Sequence, residues 1–180
     1  MAFVPISFRI AQAVGITGAA WLSGNIASLS LISVPALIQS GSKDSVPSPV
    51  LAQQWKYNFE KGKSQNPPIA AASASAFSYL AWSVRSGSRL RSIVPKNSIQ
   101  LYTTAAILTL GIVPYTLLAM QSTNSKLIAK SEAWKGVAIS GTSEDAEFIE
   151  LVEKWTFLNG VRSSLPLAGA IAGFIAVLAV

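Results

Sequence analysis

From Leu101 to Met120 the chain reads LYTTAAILTLGIVPYTLLAM, twenty residues without a charge. An α-helix rises about 1.5 Å per residue, so roughly 20 residues cross the 30 Å of hydrocarbon in a bilayer. The stretch therefore predicts a membrane-spanning helix, and three others are like it. Residues 11–38, 69–84 and 163–180 also carry no charge. Only 12% of the 180 residues are charged and 51% are hydrophobic, whereas a soluble domain carries roughly 25% charged residues. A soluble helix also keeps a polar face along its length. Here the charges gather between the apolar runs. The pattern predicts one domain, residues 1–180: an all-α, four-helix transmembrane bundle with spans at about 9–38, 68–86, 101–120 and 157–180.

Each span has local punctuation. The first is much longer than the 7–15 apolar residues of a signal peptide, so it is read as retained. Pro35 should bend or end it, and Pro114 should kink the third span, because each removes the donor to the carbonyl four residues back. Pro67 and Pro68 should break the chain ahead of the second span, Pro68 then serving its first turn. Ala70 to Ala76 is a run of small residues, and Gly169 and Gly173 form a G-x-x-x-G pair. Both patterns let helices approach closely in lipid, and homo-oligomers built on such faces are compatible with them. In the first loop, Val50, Leu51, Trp55 and Phe59 recur at near-helical spacing, opposite Lys56, Glu60 and Lys63. That predicts a short amphipathic helix, either at the membrane surface with Trp55 and Tyr57 at headgroup depth or simply solvated. Thr142 or Ser143 should cap a helix whose first turns hold Glu144, Asp145 and Glu147.

The net charge of +6 is loop charge. Loop 85–100 carries Arg85, Arg89, Arg91 and Lys96 and no acid, which favours a cytoplasmic side for it and for both termini. The opposite loops weaken that reading, since Lys43, Lys56, Lys61, Lys63, Lys126, Lys130, Lys135 and Lys154 lie there. No nucleic-acid-binding motif accompanies the basic residues, so no nucleic-acid partner is expected.

Composition restricts the chemistry. There is no Cys and no His. Disulfides, thiolate nucleophiles, His-based triads, Cys/His zinc sites and His-ligated haem are excluded. One charge, Arg162, is embedded in a span pattern, and ionisable groups at membrane depth are expensive and functional by default. Trp155, Asn159, Arg162 and Pro166 are spaced by four, three and four, so they share one helical face. Pro166 would leave the Arg162 carbonyl without its helical donor. The competing reading has Arg162 snorkelling to headgroups and Trp155 in the interfacial belt. A second polar concentration, Tyr115, Thr116, Thr123 and Asn124, follows Pro114 and could equally be a helix cap and turn.

These residues carry a resemblance. Phe8, Gly18 and Leu22-Ser23-Gly24 resemble the opening helix of the anthrone oxygenase-like membrane proteins, a four-span family of fungal polyketide clusters and bacteria. Gln54-Trp55, Phe59, Gly62-Lys63 and Pro67-Pro68 are similar to its Q-W…G-K…P segment. Pro114-Tyr115-Thr116, Met120, Thr123-Asn124 and Leu127 resemble its P-[FY]-T…M…T-N…L signature. Trp155, Asn159, Arg162, Pro166-Leu167 and Gly169-Ala170 are similar to its ending. The resemblance implies a membrane-bound, cofactor-independent oxygenase that converts an anthrone-type aromatic polyketide to an anthraquinone with O2. Such a reaction needs a base, a cation for the developing anions and an apolar pocket. It implies Arg162 as the cation, Asn159 as an orienting hydrogen bonder, Trp155 as a stacking wall, and Tyr115, Thr123 and Asn124 as substrate contacts. Some relatives carry His where this chain has Asn159. Here the base would be a carboxylate, a lysine, Tyr115 or water. An intracellular membrane such as the endoplasmic reticulum is the expected location. The alternative function is a non-catalytic membrane scaffold. A transporter is disfavoured because no span carries a ladder of polar groups.

Overall fold

The computed structural model describes residues 4–178, so residues 179 and 180 of the expected fourth span lie outside them. Among the described residues the regular structure is entirely helical. Four long helices carry it: α1 (Ile6–Lys43), α2 (Ser48–Ser83), α3 (Ser98–Ala133) and α4 (Thr142–Leu178). A single 3-10 turn, Arg89–Ser92, sits in the connection between α2 and α3. Three of the helices, α1, α3 and α4, are long and apolar enough to cross a membrane. Large apolar side chains stand exposed along them, Leu118 at 87% and Leu31 at 76%. The chain is an integral membrane protein.

Helices of 36 to 38 residues extend about 55 Å, nearly twice the hydrocarbon thickness. Two expectations change accordingly. The amphipathic segment is not a separate loop helix; it is the first half of α2, which continues through Pro67 and Pro68. Both prolines are exposed, so the carbonyls left without helical donors, those of Lys63 and Ser64, lie on an open side of the helix. Trp55, expected at headgroup depth or in solvent, is 1% exposed, and it is Tyr57, at 63%, that faces outward. The third helix likewise runs past Met120 to Ala133 and does not stop in a cap and turn.

Pro35 and Pro114 do not end their helices either. The chain widens beside each into a stretch of π-helix, Leu29–Ser33 in α1 and Thr116–Met120 in α3. In the first, the Val34 N–H donates to the Leu29 carbonyl, five residues back. A π-turn takes up an extra residue and shifts the bonding register, which is how a helix accommodates a residue that cannot donate.

The chain divides into two compact units, each containing a segment of every helix. The first comprises the residues up to Gly24, Asn66–Pro114 and those from Ser163 onward. Its core packs Phe8, Phe77, Leu80 and Tyr102, with the Phe8 and Tyr102 rings edge to face at 6.2 Å. Gln12 Nε2 donates to the Tyr102 hydroxyl at 2.8 Å. The small residues act as expected: Ala70, Ser73 and Ala74 are buried, and a methyl group placed on Gly169 would lie 3.0 Å from the Ala105 carbonyl oxygen. Near Pro166 a carbonyl does accept a side-chain donor; it is that of Ser163, which takes the Ser23 hydroxyl at 2.8 Å.

The second unit comprises Asn25–Gln65 and Tyr115–Arg162. Its core is aromatic: Trp55, Trp134, Phe148 and Trp155, with Met120 and Leu127. At its rim Lys56 pairs with Glu132, and Lys130 with Glu147 at 2.8 Å. Helix α4 begins at Thr142, with Glu144 and Asp145 in its first turn. The Glu144 carboxylate accepts the Gly141 N–H at 3.3 Å, satisfying backbone ahead of the helix where negative charge is favourable.

A polar core around Arg162 in the second unit

The second unit encloses a chain of polar groups, and α4 supplies its spine. Trp155, Asn159 and Arg162 project from one face of that helix. Trp155 is 1% exposed, Asn159 is fully buried and Arg162 half-buried. Each reaches across to a neighbouring helix. The Trp155 indole N–H donates to Asn124 Oδ1 on α3 at 2.9 Å. Asn159 Nδ2 donates to the Ile26 carbonyl at 2.9 Å and to Ser30 Oγ at 2.8 Å, both on α1. Arg162 Nη1 donates to Thr116 Oγ1 on α3 at 3.0 Å. Within α4, Arg162 Nη2 donates to Asn159 Oδ1 at 2.7 Å. Ser30 and Thr116 belong to the two π-helical stretches, where the backbone departs from regular geometry. Such stretches are common at functional sites.

Of the six residues singled out from the sequence, four make side-chain hydrogen bonds here, in two pairs: Arg162 with Asn159 and Trp155 with Asn124. Tyr115 is packed at the edge of the aromatic cluster. Thr123 is buried beside Asn124. Four further participants stand outside the six, Thr116 among them although the sequence groups it with the polar residues after Pro114. Ser30, Thr116 and the Ile26 carbonyl anchor Asn159 and Arg162, and Trp55 lies edge to face with Trp155 at 5.6 Å. The bend or end expected at Pro35 was the signal nearest Ser30, and the polar residues after the Pro114 kink included Thr116.

The electrostatic character is one-sided. Among the described residues no carboxylate pairs with Arg162; its partners are an amide and a hydroxyl. Its Nε, also buried, has no acceptor, and the same holds for the Trp55 indole N–H. Three-fifths of the way along α4, Arg162 is also the last charge before the uncharged run 163–180. The second unit thus holds a cation with neutral partners, two buried donors without acceptors and a cluster of aromatic rings.

Comparison with known proteins gives this chemistry a family. A family described as anthrone oxygenase matches residues 55–172. Over 174 residues the chain is 40% identical to the anthrone oxygenase encC of Aspergillus fumigatus, an alignment covering 92% of this chain and 91% of that protein. It is 32% identical to an anthrone oxygenase of Claviceps purpurea, with 96% and 89% covered. It is 30% identical to a noranthrone monooxygenase of Aspergillus flavus, with 91% and 71% covered. No solved structure matches the chain.

Proposed function

This chain belongs to the anthrone oxygenase family, and on that premise we propose that it oxidises an anthrone-type aromatic polyketide to the anthraquinone, with O2 as oxidant and Arg162 as the cation of its site. The observation that carries the assignment is the uncompensated guanidinium, held in place by Asn159 and Thr116 rather than by an acid. A carboxylate partner would cancel its charge; neutral partners orient it and leave the charge for a ligand.

The reaction is balanced by the substrate and oxygen alone. The anthrone methylene gives up a proton to a base, and the negative charge settles on the ketone oxygen across the central ring. That electron-rich anion passes one electron to O2, and the resulting radical pair combines into a carbon-bound peroxide. Loss of water from the peroxide leaves the second carbonyl of the quinone. Both charged intermediates, the enolate and superoxide, are oxyanions, and a fixed cation stabilises them as they form. In this reading Asn159 orients Arg162, Trp155 forms a wall against the flat substrate, and Asn124 and Thr123 line the polar side. Tyr115, at the edge of the aromatic cluster, is a further substrate contact in this reading.

The surroundings support an apolar substrate drawn from the bilayer. Leu31, Ile32, Leu117, Leu118 and Phe157, at or near the two π-helical stretches, are exposed. We place the four crossings at the uncharged runs, within an intracellular membrane such as the endoplasmic reticulum.

The test is oxygen uptake with emodin anthrone, for the protein in detergent micelles, beside Arg162→Ala and a protein-free control. The expected result is a rate well above the spontaneous one, falling about 10²–10³-fold in the variant, as when an oxyanion-stabilising donor is removed. A folded wild-type protein at the control rate would overturn the assignment and favour the scaffold function.

A further inference from the structure

Trp55 was not among the residues the chemistry called for, yet its position is unusual. The side chain is 1% exposed and its indole N–H has no hydrogen-bond partner. An indole nitrogen donates and cannot accept, and buried donors without partners are rare enough to need an explanation. The ring is also held at a fixed angle. It stacks on Phe59, 5.3 Å away at an interplanar angle of 16°, and meets Trp155 at 87°. Trp155 has a partner for its own N–H in Asn124. The acceptors of the polar core are engaged as well: Asn124 Oδ1, Ser30 Oγ, Thr116 Oγ1, Asn159 Oδ1 and the Ile26 carbonyl each receive another donor.

We infer that Trp55 is a substrate-binding residue whose indole N–H donates to an oxygen of the bound anthrone. This rests on the oxygenase function proposed above and deepens it. The oxygen in question is the ketone oxygen, or the phenol oxygen beside it, that becomes anionic when the methylene proton leaves. A hydrogen bond to that oxygen is stronger in the anion than in the neutral ketone, so it favours the step that generates the anion. The indole suits this task. It is neutral, it stays protonated beside a base, and its ring adds apolar wall next to Trp155. Arg162 Nε is the second unmatched donor of the same unit. The site therefore selects flat aromatics with at least one ring oxygen able to accept, and it discriminates against the bare hydrocarbon.

The competing account of the indole N–H is structural: it points at a neighbouring ring face, a weak N–H···π contact. Trp55→Phe separates the two, since it keeps an aromatic ring and removes the donor. The experiment uses the full chain in micelles and has two readouts. The first is oxygen uptake with emodin anthrone. The second is the 15N-indole spectrum during titration with emodin, the quinone product, with the Trp55 resonance assigned by its absence in the variant. Wild type is expected well above the spontaneous rate, and the variant about 10²-fold below wild type, chiefly in kcat. Its thermal midpoint should stay close to wild type, because the lost donor had no partner. The Trp55 indole proton should move downfield as emodin binds. A variant as fast as wild type would overturn the inference and leave the oxygenase function standing. An indole proton that stays at an upfield, ring-shielded position throughout the titration would overturn it equally, and this readout needs only the wild-type protein. Wild type at the spontaneous rate would instead overturn the oxygenase function itself.

Discussion

Arg162 and Asn159 lie one turn apart on α4, joined by a 2.7 Å hydrogen bond from Nη2 to Oδ1. The bond fixes the amide as well as the guanidinium. With Oδ1 turned toward Arg162, Nδ2 must face α1, where it finds the Ile26 carbonyl and Ser30 Oγ. One asparagine thus links the position of α1 to that of the Arg162 guanidinium.

Charge and shape at position 162 are separable. Arg162→Lys keeps a cation, but an ammonium lacks the planar fork that serves Asn159 and Thr116 at once. We expect kcat about 10-fold below wild type for Lys and at least 10²-fold below for Ala. Oxygen uptake by the two variants at matched protein concentration checks it, and equal rates for Lys and wild type would refute a geometric requirement.

The Trp155–Asn124 hydrogen bond is a buried, neutral pair. Trp155→Phe leaves Asn124 Oδ1 without its donor, and Asn124→Leu leaves the indole unmatched. Each single change should cost about 1–3 kcal/mol, and the double variant less than the sum. Thermal or denaturant unfolding in micelles, read as a double-mutant cycle, gives the coupling. Strict additivity would mean the bond contributes nothing.

Gly169 marks a close approach to backbone in the first unit. A methyl group there would lie 2.7 Å from Thr109 Oγ1 and 3.0 Å from the Ala105 carbonyl oxygen. Gly169→Ala should therefore destabilise by roughly 1–3 kcal/mol through overpacking, whereas Gly24→Ala, with open space around it, should be nearly silent. Comparing the two thermal midpoints tests the close contact. An unchanged Gly169→Ala protein would show that α3 and α4 have slack.

Much of this arrangement was legible in the sequence because the period of the helix is fixed. Charge-free runs gave the long helices, and the four-three-four spacing of Trp155, Asn159, Arg162 and Pro166 placed all four on the inward face of α4. What failed was local punctuation. Pro67-Pro68 is a strong helix breaker in isolation, but α2 passes through it because packing on either side outweighs two absent donors. The spacing around Trp55 fits a helix at the interface or one in solvent, and neither shows the contacts with Phe59 and Trp155 among which it is buried. The anchor Ser30, and the pairing of Thr116 with Arg162, were hidden for a different reason. Their role is set by where α1 and α3 lie against α4, which no single-helix pattern encodes.

The two π-helical stretches have a consequence for how chains of this kind vary in length. Removing one residue from Leu29–Ser33 or Thr116–Met120 would let the stretch relax to an ordinary α-helix, with the flanking helix keeping its face while the residues inside the stretch move round it by up to one position. Ser30 or Thr116 would then swing away from α4. A one-residue gap at either place in an aligned sequence would thus do more harm to the grip on Arg162 than most substitutions, and an insertion of several residues in residues 134–141 should do far less. Activity across such chains should track the residue count of two short segments.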